Sequence, residues 1–244
     1  MATFEITEGA PGQGKSLYTA RLTRRLLVRN RKWEEKGNPR RRIASNMRFS
    51  EAFEAEWSVC SNIDDMSGYI VYWTNADDIC KMRDVDVIWD EIATELDARN
   101  WPNLSVELKR FLSQYRKRGV DIYANTQDFS MIDMRARLMI TNVATLTKIL
   151  GSRDLSTTKP APRFIWGIIM IRQVQNFKET DPEKKKYDLI PSFMLIEREL
   201  TEIYDTRQDI PLGEPTPFKH IVRKCEFYGT PGHVCEEHAK IMHI

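Results

Sequence analysis

Residues 8–21 read EGAPGQGKSLYTAR, and the reading of this stretch decides the fold. It satisfies G-x-x-x-x-G-K-[ST], with Gly9, Gly14, Lys15 and Ser16 at the fixed positions. Each residue type has a physical reason. Glycines let successive backbone N–H groups turn inward into an anion-binding concavity. A following helix aims its N-terminal N–H groups and partial positive charge at the same phosphates. Lys15 can reach the β- and γ-phosphates of ATP, and the Ser16 hydroxyl can ligate Mg²⁺. The alternative is a plain glycine turn between a strand and a helix, and the flanks separate the two. Upstream, TFEITE (3–8) alternates Phe4 and Ile6 with polar residues, a strand pattern. Downstream, SLYTARLTRRLLVRNRKW (16–33) lacks Gly and Pro and is rich in helix formers. Strand, glycine loop, helix is the setting of a phosphate-binding loop. Nucleotide binding is therefore assigned to Gly9, Ala10, Pro11, Gly12, Gln13, Gly14, Lys15, Ser16 and Leu17.

Composition sets the outer bounds. A chain of 244 residues, 41% hydrophobic and 30% charged, is a globular protein long enough to bury a sizeable core. A net charge of +2 gives no overall basic signature. The sequence opens directly on a strand, so no signal peptide is expected. The most apolar run, FIWGIIMI (164–171), is far too short to span a bilayer. Cys60, Cys80, Cys225 and Cys235 are scattered and form no disulfide framework, which implies a reducing, cytoplasmic setting. Charge is uneven along the chain: residues 1–50 are basic and 51–100 acidic. Arg21, Arg25, Arg29 and Lys32 fall on one helical stripe, either a solvated face or a contact for a phosphate backbone.

The rest of the chain alternates strands and helices. RRIASNM, YIVYW (69–73), DVDVIWDE and VDIYANTQ read as strands. NADDICKM reads as a short helix from Asn75, MIDMRARL as another. LSVELKRFLSQYRKRG carries Leu104, Leu108, Phe111 and Leu112 at helical period and stops at Gly119. The expected class is α/β: a P-loop NTPase with a mainly parallel sheet covered by helices. After about residue 140, TNVATLTKIL, RFIWGIIMIRQVQNF and YDLIPSFMLIEREL read as strands without long helices between them, hence as antiparallel β additions on one edge.

Two further stretches carry chemistry. VIWDEIATE places Asp90 and Glu91 at the end of an apolar strand. A P-loop enzyme needs a carboxylate there to hold Mg²⁺ through water, the role open to Asp90. A second acid can take a proton from the attacking water, the role open to Glu91. The plain alternative is a solvated acidic pair at a strand terminus. In QYRKRGVDIYANTQ, the strand from Val120 ends at Asn125, Thr126 and Gln127, and Gln127 is the candidate to contact the γ-phosphate. The cluster Arg116, Lys117 and Arg118 can complement a helix C-terminal dipole. Alternatively, Arg116 or Arg118 reaches a neighbouring subunit's phosphates as an arginine finger.

Taken together, ITEGAPGQGKS, VIWDE, QYRKRGVDIYANTQDFSMIDMRARL and LTEIYDT resemble the Zot (zonula occludens toxin) family, the cytoplasmic ATPase domains of filamentous-phage assembly proteins. Arg116, Gly119, Asp121 and Gln127 take the positions of its more specific motif. The resemblance covers residues 1–208 and implies membership of the HerA–FtsK group of ring-forming P-loop motors. It implies a Mg²⁺-dependent ATPase, hexameric by family habit, that moves single- or double-stranded phage DNA in packaging or extrusion. It further implies a membrane or capsid-vertex protein partner and a place in the host cytoplasm, at the inner membrane's periphery or with the virion. Family members used in filamentous assembly continue into a transmembrane helix, and no such segment is read here. Rival readings are a nucleotide-gated assembly scaffold without DNA translocation and a small-molecule P-loop kinase.

Residues 209–244 read as an appendage. PLGEPTPF is a Pro-rich linker, and beyond it Cys225, Cys235 and His238 could contribute to a Zn²⁺ site. The Cys225–Cys235 spacing is not that of a standard zinc ribbon, so an unmetallated hairpin is the competing expectation.

Overall fold

A computed structural model describes residues 2–151, 167–175, 186–187, 191–196, 200 and 203–204. The zinc candidates Cys225, Cys235 and His238 lie outside the described residues, as does the Pro-rich linker. The first strand, β1 (Phe4–Glu8), buries Phe4 and Ile6 completely, as the alternation requires. Gly12 and Gly14 then take φ of +80° and +89°, which costs a residue without a side chain little. The chain turns directly into α1 (Lys15–Glu34), whose Leu17, Ala20, Leu26 and Leu27 pack on the sheet.

Five more strands run parallel to β1: β2 (Arg42–Ser45), β3 (Ile70–Tyr72), β4 (Val85–Trp89), β5 (Asp121–Thr126) and β6 (Asn142–Gly151). Antiparallel β7 (Gly167–Gln175) pairs with β6, and β8 (Lys186–Tyr187) and β9 (Ser192–Ile196) pair with β7. The order across the sheet is β3-β2-β4-β5-β1-β6-β7-β8, with β9 also on β7. The central strands are buried on both faces, so β4 reads VDVIW, apolar except for Asp86. One face carries α1 and α2 (Glu51–Trp57). The other carries α3 (Ala93–Leu96) and α4 (Val106–Gln114), with Leu108, Phe111 and Leu112 inward as the periodicity predicts.

Three details differ from the sequence reading. The segment TNVATLTKIL is parallel to β1, and the antiparallel part begins only at β7. Residues 127–141 form a crossover containing α5 (Met134–Arg137), and this returns the chain to the starting edge, so β6 runs the same way as β5. The helix expected from Asn75 is a 3-10 turn over Asp78–Lys81, because the Asn75 side chain accepts from the Asp77 N–H at 2.9 Å and holds a turn first. Helix α2 has no counterpart among the elements read from the sequence; its signal is Ser50 followed by Glu51 and Glu54 in the first turn.

The N-terminal edge of the sheet is pinned by charge. Asp86, fully buried, accepts from Arg29 Nη2 at 2.7 Å, Asn30 Nδ2 at 2.8 Å and Arg41 Nε at 3.0 Å. Arg41 also bonds Asp121 at 2.8 Å and the Gly119 carbonyl at 2.9 Å. Gly119 itself has φ +69°, and a Cβ there would lie 2.1 Å from Asp84 Oδ1. Two of the positions that carry the family resemblance, Gly119 and Asp121, thus hold the sheet together at this edge. The C-terminal edge is left for chemistry.

Candidate nucleotide-binding site

The C-terminal ends of β2, β4, β5 and β1 are neighbours in the sheet, and each leads into one part of the site. β1 leads into the glycine loop, β4 into Asp90–Glu91, β5 into Gln127 and β2 into Asn46. In open α/β sheets, ligands bind at such strand ends, where the chain order reverses. Here that reversal is at β1, flanked by β5 on one side and β6 on the other.

The loop is held from behind by the strands that follow residue 140. Gln13 Oε1 accepts from the Lys148 N–H at 2.6 Å, and Thr145 Oγ1 donates to Glu8 Oε1 at 2.7 Å. A Cβ on Gly14 would sit 2.3 Å from Ile169 Cδ1, and one on Gly9 3.2 Å from the Leu146 carbonyl oxygen. The β6–β7 extension therefore backs the loop, while Pro11 and Gly12 at its crest are exposed.

Lys15 is 8% exposed, and its ammonium donates to the Gly9 carbonyl at 2.7 Å across the loop. Burial pushes its pKa down, opposed by the nearby Glu91 and Asp90. Burial likewise lifts Asp90 above the usual carboxylate range, against the Asn125 hydrogen bond and Lys15. It lifts Glu91 too, with Lys15 opposing and Asp90 reinforcing. One cation thus faces two acids whose charged forms are poorly solvated, an arrangement suited to a further cation and a polyanion. The Ser16 hydroxyl and the Asp90 carboxylate are hard oxygen donors, which fit Mg²⁺. Gln127 is exposed, and its Nε2 lies 3.5 Å from Glu91 Oε1, so the side chain reaches the acid only loosely.

Two asparagines complete the site, and sequence reading gave neither a role. Asn125, 1% exposed, donates from Nδ2 to Asp90 Oδ1 and accepts from the Glu91 N–H at 2.8 Å. Asn46 brackets the same turn, accepting from the Asp90 N–H at 2.7 Å and donating to the Asp90 carbonyl at 3.0 Å. Between these clamps Glu91 has φ +49°, a left-handed conformation that glutamate rarely adopts. Backbone strain of this kind persists when its surroundings enforce it, and it marks functional turns. The available signal was position: each asparagine lies at the C-terminal end of a predicted strand, Asn46 within RRIASNM and Asn125 within VDIYANTQ.

Lys15, Ser16, Asp90, Glu91 and Gln127 are thus placed around one edge. Arg116 and Arg118 are not. They precede β5, at the opposite edge, about 20 Å away along a strand of this length. Arg116 Nε donates to the Tyr115 hydroxyl at 3.0 Å, and Arg118 Nη1 to the Cys80 carbonyl. Neither serves the nucleotide edge of its own chain. Among the described residues, no cluster of three His, Cys, Asp or Glu side chains forms a metal cage. Among them also, no helix is long and apolar enough to cross a membrane.

A parallel sheet in this order, a glycine loop opening a helix, and an acidic strand end beside it define a P-loop NTPase fold. No protein-family model matches the chain, and no curated protein matches it in sequence. In structure it is similar to the N-terminal domain of zonular occludens toxin from Neisseria meningitidis, with a TM-score of 0.50 and 18% identity, over 84% of this chain and 100% of that one. It is also similar to the genome packaging NTPase of Sulfolobus turreted icosahedral virus 2, solved with AMPPCP, with a TM-score of 0.47 and 10% identity over 77% of this chain and 96% of that one. The likeness to the toxin domain is one of fold, and it agrees with the Zot resemblance in the motifs.

Proposed function

We propose that this protein is a Mg²⁺-dependent ATPase motor of phage morphogenesis that couples ATP hydrolysis to movement of phage DNA. The observation that carries the enzymatic part is the convergence of Lys15, Asp90, Glu91 and Gln127 on adjacent strand ends. In this reading the loop Gly9–Leu17 receives the phosphates, and Lys15 exchanges the Gly9 carbonyl for phosphate oxygens. Ser16 and Asp90 would hold Mg²⁺, which would supply positive charge to offset that of the bound phosphates. Glu91 accepts a proton from the water whose oxygen attacks the γ-phosphorus as the bond to ADP breaks. Its raised pKa keeps it a stronger base than a solvated glutamate. Gln127, beside Glu91, orients that water or contacts the γ-phosphate.

The DNA part rests on the motif resemblance rather than on the chemistry of the strand ends. In this reading the subunits form a ring, hexameric in this class. Arg116 or Arg118 meets the neighbour's nucleotide, which agrees with their distance from their own. A capsid-vertex or membrane protein anchors the ring in the host cytoplasm or on the particle. The test is ATP hydrolysis with and without single- and double-stranded DNA. Stimulation by either supports a motor. Hydrolysis or binding of ATP that DNA leaves unchanged would overturn it in favour of a nucleotide-gated scaffold.

A further inference from the structure

Helix α1 holds seven basic residues, Lys15, Arg21, Arg24, Arg25, Arg29, Arg31 and Lys32, against one acid, Glu34. Their destinations differ. Lys15 faces the site, Arg29 is tied to Asp86, and Arg31 lies over the Trp57 ring at 3.8 Å. Arg21, Arg25 and Lys32 instead point away from the core. At 100° per residue they lie within an arc of about 40°, with Val28 between them. Arg25 and Lys32 are exposed and Arg21 is half-buried. Glu5 attracts Arg25 from a distance, but the helix places no acid within the arc.

An ordinary solvated helix face mixes signs, because like charges one turn apart repel. This face holds a single sign over about 16 Å of axis, close to the rise of five phosphates along one DNA strand. A membrane surface would need an apolar stripe to bury alongside the charge. The apolar side of α1 is committed to the core through Leu17, Ala20, Leu26 and Leu27. Charge complementarity without an apolar partner fits a polyphosphate backbone.

We infer that the exposed face of α1, through Arg21, Arg25 and Lys32, binds the phosphate backbone of DNA. The inference rests on the motor reading and gives that motor a contact surface on the helix that begins at its phosphate loop. The test is DNA binding by fluorescence anisotropy over a range of salt, with wild type and an Arg21→Gln/Arg25→Gln/Lys32→Gln variant. Three lost phosphate contacts flatten the slope of log K against log salt by about 2.7 for duplex and about 2.1 for single strands. Basal ATP hydrolysis and the melting temperature stay at wild-type values, since the three side chains serve neither site nor core. Arg21→Lys/Arg25→Lys keeps the wild-type slope. An unchanged slope in the glutamine variant, with wild type binding DNA, overturns the surface and leaves the motor standing. Loss of binding to anionic vesicles with DNA binding intact also overturns it, in favour of a membrane contact. Absence of DNA binding and DNA-stimulated hydrolysis in wild type removes the motor reading itself, and the surface with it.

Discussion

Replacing Asn125 with alanine separates a clamped turn from a merely acidic strand end. The side chain is 1% exposed and makes two bonds, one to the Asp90 carboxylate and one from the Glu91 N–H. A hydrogen bond to a charged group is worth about 1.5–3 kcal/mol and a neutral one about 0.5–1.5 kcal/mol, so the expected loss is about 2–4 kcal/mol. For a domain of this size each kcal/mol moves Tm by about 2–4 °C, which predicts a drop of about 5–15 °C. The Asn125 bond also holds the Asp90 pKa down against burial, so its removal shifts that pKa further up. With Glu91 at φ +49° and no acceptor on its N–H, the turn relaxes and the base moves. Turnover should then fall more than ATP binding weakens. Asn125→Asp is the matched control. It keeps an acceptor for Glu91 but sets a carboxylate against Asp90, so its defect should shrink as pH falls and the pair takes up a proton. Calorimetry gives Tm, and phosphate release gives kcat and KM. An Asn125→Ala protein with wild-type Tm and turnover would falsify the clamp.

Three other outcomes are expected. Lys15→Ala should abolish measurable ATP binding by equilibrium dialysis while circular dichroism stays that of a folded chain; retained hydrolysis would remove the phosphate-loop assignment. Asp90→Asn should raise the nucleotide-free Tm at pH 7.5. The folded-state pKa of Asp90 lies above its unfolded value, so its ionised form costs stability as pH rises through that folded pKa. The gain should vanish as pH falls below about 3.9, where both states are protonated, and a Tm gain independent of pH would contradict the burial argument. Arg116→Ala and Glu91→Gln chains, each inactive alone, should regain hydrolysis when mixed, since a trans arginine finger is worth about three to five orders of magnitude. No rescue in verified mixed assemblies excludes Arg116 and passes the test to Arg118.

The parts of the fold legible in the sequence are those whose chemistry fixes spacing. Gly9, Gly14, Lys15 and Ser16 have to stand at set intervals for a backbone nest to form, so the loop and its flanking β1 and α1 could be read directly. Asp90 and Glu91 were legible because an apolar run ends abruptly in two acids. The direction of β6 was not, because a strand's residues carry no mark of its partner's direction; the crossover through Met134–Arg137 sets it. Asn46 was invisible for a similar reason. Its partner Asp90 is distant in sequence, and an asparagine at a strand end ordinarily reads as turn chemistry. Gly119 and Asp121, read as family marks, turn out to cap a helix and join strands at the edge away from the nucleotide. The backing of the phosphate loop by Lys148 and Ile169 appears only once the sheet is assembled.

Glu91 is the residue on which the catalytic assignment turns. Single-turnover hydrolysis of ATP with Mg²⁺, measured alongside ATP affinity in wild type and Glu91→Gln, isolates the proton-accepting step from binding. The expected result is unchanged affinity with a rate lowered by about two to four orders of magnitude. A Glu91→Gln protein that binds and cleaves ATP at the wild-type rate would contradict the assignment of the strand end beyond β4 as the catalytic centre.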